Sequence, residues 1–296
     1  MSETTESLRR KIATAGDLQS VVRTMKAVAA SSIGQYENSV RALADYYRTV
    51  ELGFAASFRK SASAPLVSPP EGTKAHGIGA VVFGSDQGLV GRFNEVVADD
   101  AKTALAALPG KASHVWAVGE RVHERLADSG LPPIELFAVP SSIEAITPLV
   151  GRILVATETR RSEVTELYLF YNRPTSGSTY APFRQRLLPL DETWRRKLAQ
   201  LPWPTRSLPE SVEGGDATLR ALIREYLFIS LFRASAESLA SENASRLAAM
   251  ERADKSIDDS LEDFHRTFHR LRQGGIDEEL FDVVSGFEAL SEGPTR

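Results

Sequence analysis

Cysteine is missing from all 296 residues, which removes disulfides, thiolate metal centres and thiol nucleophiles. No stretch approaches the ~18 consecutive apolar residues that a membrane-spanning helix needs. The N-terminus (MSETTESLRRKIATAGDLQ) is polar and charged, without the apolar segment of a signal peptide. Positive charge is not in excess. Lys and Arg number 35 against 39 Asp and Glu, a net charge of −4, and this argues against generic nucleic-acid binding, which needs a concentrated basic field. Glycine and proline are both absent from 216 to 273, a run of 58 residues bounded by Gly215 and by Gly274-Gly275. As a single helix that run would be roughly 87 Å long at about 1.5 Å per residue. Ordinary helices have about 11–12 residues. A rod of this length exceeds the wall of a compact domain and suggests a mechanical or scaffolding part.

Punctuation divides the chain into three zones: 1–60, 61–215 and 216–296. The first lacks proline, and its apolar and small residues recur at 4-3 spacing through Leu18, Val22, Met25, Ala29, Ser32, Tyr36, Ser39, Leu43, Tyr46 and Val50. This heptad seam predicts a long helix wound on a partner helix. Gly16, Gly34 and Gly53 are soft spots in it, each costing about 1 kcal/mol relative to alanine. After a loop at 61–72, short apolar strands (Ile78–Phe83, His114–Val118, Leu136–Val139, Val164–Tyr171) alternate with helical stretches (Asn94–Ala107, Glu120–Asp128, Ile143–Arg160). That alternation predicts a mainly parallel sheet covered on both faces, with Tyr180–Leu188 as a further edge strand. A loop at 202–215 closes the zone. The third zone carries its own seam from Ala236 through Leu247, Met250, Ile257, Phe264 and Leu271, with Asn243 and Asp254 as polar exceptions. After Gly274-Gly275 a separate, shorter helix is expected, and the last six residues read as frayed. The two seams can pair antiparallel, which gives an α/β fold with a long coiled coil: a two-helix rod with an α/β domain inserted between its helices.

Candidate chemistry is sparse. The loop GSDQGLVGRFNEVV (Gly84–Val97) follows a strand and opens a helix, the place where α/β proteins bind phosphates. Its glycine spacing fits neither a dinucleotide fingerprint nor a phosphate loop. It reads as a strand-to-helix turn capped by Asn94. His265 and His269 share a helix face, but Arg266 stands where a metalloprotease helix needs glutamate. No nucleophile elbow is present. The reading is therefore no catalytic residue, no metal and no cofactor. Charge is uneven: Arg9, Arg10, Lys11, Arg23 and Lys26 lie on the first helix, and Glu251, Asp254, Asp258, Asp259, Glu262 and Asp263 on the last. These are either solvated faces that attract each other or a basic face that meets acidic partner segments.

Three segments together resemble the γ subunit of F-type ATP synthases. They are IATAGDLQSVVRTMKAVAAS (Ile12–Ser31), SDQGLVGRFN (Ser85–Asn94) and, most specifically, ESLASENASRLAAM (Glu237–Met250). The resemblance spans nearly the whole chain. It implies a Rossmann-like α/β domain inserted in the rod, and a rotor shaft without catalysis of its own. The implied partners are a ring of three α and three β subunits, the small ε subunit and the membrane c-ring. Membrane insertion and nucleic acid are not implied. The implied location is peripheral, on the cytoplasmic face of the bacterial inner membrane. Met25-Lys26, Arg246 and Arg272-Gln273 match family positions that face the β subunits. With Arg9 and Lys11 of the basic face and Asp277, which replaces a family hydroxyl, they form the expected partner contacts. Asp277, Gly274-Gly275, Gln87 and Arg92 depart from the family pattern and suggest a divergent branch. The alternatives are a non-rotating coiled-coil scaffold, or a nucleotide-binding enzyme built on the Gly84–Asn94 loop.

Overall fold

The computed structural model describes residues 4–60, 77–109, 111–175, 179–207 and 215–291. The expected loop at 61–72, half of that at 202–215 and the last five residues lie outside them. The chain forms two compact units, Ala29–Arg246 and the pair of segments Met1–Val28 and Leu247–Arg296. Two long helices contribute to both: α1 (Thr5–Lys60) and α6 (Gly215–Ser291).

The unit Ala29–Arg246 is built on a five-stranded sheet. Strand β1 (Gly77–Phe83) is followed by α2 (Phe93–Ala106), β2 (Lys111–Val118), α3 (Glu120–Asp128), β3 (Glu135–Phe137), α4 (Ile146–Thr159), β4 (Glu166–Pro174), β5 (Tyr180–Leu188) and α5 (Glu192–Ala199). The spatial order is β3-β2-β1-β4-β5. The first four strands are parallel, and β5 pairs antiparallel with β4 at the edge. Every residue of β1 is buried, as expected for a central parallel strand covered on both faces. Because side chains alternate along a strand, Val81 and Phe83 enter one core, and Ile78, Ala80 and Val82 the other. The second core is closed by α2 and α3 through Val97, Ala101, Val122 and Leu126. The first is closed by α4 and by parts of α1 and α6, where Phe54, Phe58, Tyr226 and Ile229 are buried. Phe54, Trp194 and Tyr226 meet edge to face at 4.9–6.2 Å between ring centroids, geometry that adds to area burial. Gly53 allows α1 this close, since a Cβ there would stand 2.8 Å from Leu222 Cδ2.

The strand and helix expectations hold to within a few residues, and α5 is an element that the sequence pattern did not signal. α1 is one unbroken helix, as expected, and Gly16 and Gly34 sit where an added Cβ would meet nothing within 4 Å. Two expectations need correction. α6 likewise continues through Gly274-Gly275, so no separate short helix follows them. The α1 seam is also only half right. Val22, Ala29, Tyr36 and Val50 are buried, but Leu18 and Tyr46 are 53% and 45% exposed. The inward flank instead holds Ile33, Val40, Tyr47 and Phe54, one residue further along each turn. A straight helix of 3.6 residues per turn drifts about 20° per heptad against a strict seven-residue repeat.

Candidate subunit interface

Two of the three distinctive sequence segments meet in space within Ala29–Arg246. The loop after β1 turns sharply: Gly84 N donates to Val118 O at 2.8 Å, and Arg121 N to Ser85 O at 2.9 Å. Glycine is required at 119, where φ is +114° and a Cβ would lie 2.8 Å from the Ser85 backbone. Asn94 does not cap α2, because the N-cap is Arg92 and makes no side-chain bond. Asn94 is buried instead, accepting from Ser85 N at 3.0 Å and donating to Ser85 Oγ at 2.9 Å. Asp86 Oδ1 accepts from Glu120 N at 3.0 Å, and its Oδ2 from Val139 N at 2.9 Å. From α6, Ser245 Oγ donates to Val90 O at 2.5 Å. The loop is thus a docking point for the Glu237–Met250 segment.

That part of α6 is enclosed all round: every residue from Ala234 to Ser245 is buried. Its small side chains make this possible, and they leave the hydroxyls of Ser235, Ser238 and Ser241 without a hydrogen-bond partner among the described residues. Its two carboxylates are paired. Glu237 holds Arg233 at 2.8 Å and Arg173 at 3.4 Å, and burial beside Glu237 pushes the Tyr171 phenol up. Glu242 holds Arg246 at 2.7 Å, with both side chains nearly sealed. Burial pushes the Glu242 carboxyl up, Arg246 pulls it down and the Asp86 charge adds to the rise.

The other unit is a simpler construction. Pairs across it run antiparallel: as the α1 partner falls from Lys26 to Arg9, the α6 partner rises from Asp254 to Phe268. Asp254 is gripped by Arg23 at 3.2 Å and Lys26 at 3.3 Å, and Gln19 donates to Asp258. Burial works to raise the Asp254 carboxyl, but the hydrogen bonds from Lys26 and Arg23 outweigh it and leave the group below the usual carboxylate range. The two oppositely charged faces do attract each other here. A groove of about 640 Å³ lies between Arg10, Thr14 and Leu18 on α1 and Ile257, Ser260 and Phe264 on α6. Beyond Leu271 every residue to Phe287 is exposed. This stretch carries an apolar stripe, with Ile276, Leu280, Val283 and Phe287 between 53% and 73% exposed. Its 4-3-4 spacing is legible in the sequence, interleaved with charged residues.

The expected contact residues fall into separate groups. Arg9 stacks over Phe268 at 5.3 Å, and Lys11 over Phe264 at 5.6 Å. Met25 is half-buried next to Lys26. Arg272, Gln273 and Asp277 are exposed on α6. Arg246 lies in the Ala29–Arg246 unit, its side chain 12% exposed and turned to Glu242. His265 and His269 are exposed, and no cluster of metal-ligating side chains occurs among the described residues. No helix there is long and apolar enough to cross a membrane.

A protein-family profile described as ATP synthase matches residues 4–290. The chain belongs to the ATP synthase family. It is 26% identical over 299 residues to the ATP synthase gamma chain of Syntrophus aciditrophicus, covering 97% of this chain and 99% of that one. It is 28% identical to the gamma chain of Parafrankia sp., covering 96% and 97%. In fold it resembles a chain of the Euglena gracilis mitochondrial ATP synthase OSCP/F1/c-ring structure in rotational state 3. That match has a TM-score of 0.65 and 17% identity, covering 98% of this chain and 95% of that one. A rotor chain of the same enzyme in rotational state 1 gives a TM-score of 0.62 at 18% identity, covering 92% and 98%.

Proposed function

We propose that the chain is the central-stalk γ subunit of an F-type ATP synthase. In this reading it is a rotor shaft that couples ion-driven rotation to ATP synthesis or hydrolysis on the β subunits. The observation that carries the proposal is the antiparallel pairing of α1 from Thr5 to Val28 with α6 from Leu247, extended by an α6 segment whose apolar stripe is exposed. An exposed stripe of this size marks a partner surface. Two unlike helices have no threefold symmetry, so inside a ring of three α and three β subunits they present a different face to each β. Differential contact of this kind biases each β toward a different conformation, and rotation changes which one is favoured.

Residues 1–60 and 216–296 then serve as the shaft, and 61–215 as the α/β domain that meets the ε subunit and the membrane c-ring. Arg9, Lys11, Met25, Lys26, Arg272, Gln273 and Asp277 are the proposed contacts to the ring. Arg246 joins them on condition that it exchanges Glu242 for a partner carboxylate. The subunit is peripheral, on the cytoplasmic face of the bacterial inner membrane, and the nucleotide chemistry belongs to β. The test is copurification from the native cell: one copy of this chain per three β subunits is expected. Recovery only as a free monomer or homodimer would overturn the proposal. With the reconstituted ring and a labelled chain, ATP hydrolysis without stepwise rotation would assign a scaffold role instead.

A further inference from the structure

A cavity of about 320 Å³ opens within the Ala29–Arg246 unit where α1, the end of β4 and α6 meet. Each element contributes an arginine to its lining: Arg41, Arg173 and Arg233. Two of these are anchored by one acid. Glu237, its side chain only 4% exposed, meets Arg233 Nε at 2.8 Å and Arg173 Nε at 3.4 Å. Both guanidinium groups are thus held by Nε, and their Nη groups make no hydrogen bond among the described residues. Arg41 has no ion pair there either, although Glu37 stands one turn before it on α1. Bringing like charges together is costly. The lining nevertheless sets three arginines against two glutamates, an excess of positive charge in a chain whose net charge is −4.

We propose that this cavity binds inorganic phosphate. Guanidinium groups arriving from three elements suit an anion whose oxygens point in several directions, whereas a planar carboxylate is matched by a single fork. Phosphate also keeps a proton near neutrality, which its O–H can donate to Glu37, and sulfate has none to give. The apolar part of the lining is Val40, Pro174 and Ala240, with no ring on which a nucleotide base could stack. The volume is near the lower end of the ~300–1,000 Å³ usual for small-molecule sites. Bound phosphate ties α1 and α6 to the end of β4 through the guanidinium edges that the chain itself leaves unused.

The test is titration calorimetry on the full-length chain at constant ionic strength, with sodium phosphate as the probe. A single saturable site is expected. Arg41→Gln should weaken it about tenfold, the loss of one charge-assisted hydrogen bond. Arg41 is exposed and supports nothing else in the chain, so the variant should remain folded. Arg48→Gln removes the same charge from α1 outside the cavity, and binding should stay within about twofold because an exposed charge is screened. Sulfate should bind about tenfold more weakly than phosphate, since it leaves Glu37 facing an anion without a donor. ATP should bind no better than phosphate. The thermal midpoint should rise with phosphate in the wild type, less in Arg41→Gln, and not with chloride at matched ionic strength. Absence of a saturable site, equal losses in the two variants, or binding of sulfate or ATP tighter than phosphate would overturn the proposal.

Discussion

The same helix is held in opposite ways in the two units. Between Ala234 and Ser245 every residue of α6 is buried, and its charged residues are paired inside the fold. From Leu247 onward only a stripe is covered, and from Arg272 to Phe287 every residue is exposed. The first arrangement derives its stability from packing and suits a fixed anchor. The second leaves most of its surface available and rests on a narrow buried seam that includes Leu8, Val22 and Met250, together with ion pairs that in water contribute little. A part that must stay assembled and a part that must meet changing partners call for different chemistry, and one uninterrupted helix carries both.

The largest effect should come from the anchor's core. Phe54→Ala removes a fully buried ring between Trp194 and Tyr226. It should cost about 3–5 kcal/mol in urea unfolding, and a smaller loss would show that the anchor is looser than its burial implies. Next comes Arg246→Ala, which strands Glu242 in an enclosed site and should cost about 3 kcal/mol. Replacing Glu242 and Arg246 together by Met and Leu should recover most of that cost, and failure to recover would assign the pair a role beyond its own neutralisation.

A weaker, pH-dependent effect is expected at Asp254. Its carboxyl is held below the usual value in the folded chain, so its contribution is fully present above the ordinary aspartate range. The contribution is lost as pH falls through the lowered value. Amide exchange over Thr5–Val28, corrected for intrinsic rates, should rise on acidification, and Asp254→Asn should show the same rise at neutral pH. The smallest effect on the isolated chain belongs to Phe287→Ser. Phe287 is 73% exposed, and its loss should alter stability by no more than about 0.5 kcal/mol. Binding of the same variant to the α and β subunits should weaken measurably, and unchanged binding would remove the apolar stripe from the proposed interface.

Much of the fold is legible in the sequence. Absence of glycine and proline marked α6, and alternation of apolar strands with helices marked the sheet. Three things were not. The second row of the α1 seam shifted because helical drift accumulates over many turns, and short-range spacing does not record it. Asn94 looked like a cap because its neighbours fit that pattern, yet its side chain is committed to Ser85, nine residues earlier. The meeting of Ser245 with Val90 spans 155 positions, and no local pattern can encode such a contact. The shared resemblance of both segments to one family was the only hint that they belong together.

The unbroken passage of α6 through Gly274-Gly275 has a thermodynamic consequence. Each of these glycines costs a helix about 1 kcal/mol relative to alanine, and beyond them no side chain is covered through Phe287. The terminal turns of α6 therefore have the least to lose by unwinding. A ring that closes around them must supply the free energy of keeping them helical, as in any association coupled to ordering. Gly274→Ala and Gly275→Ala would supply part of it beforehand, so the tip should seat more tightly and leave more slowly.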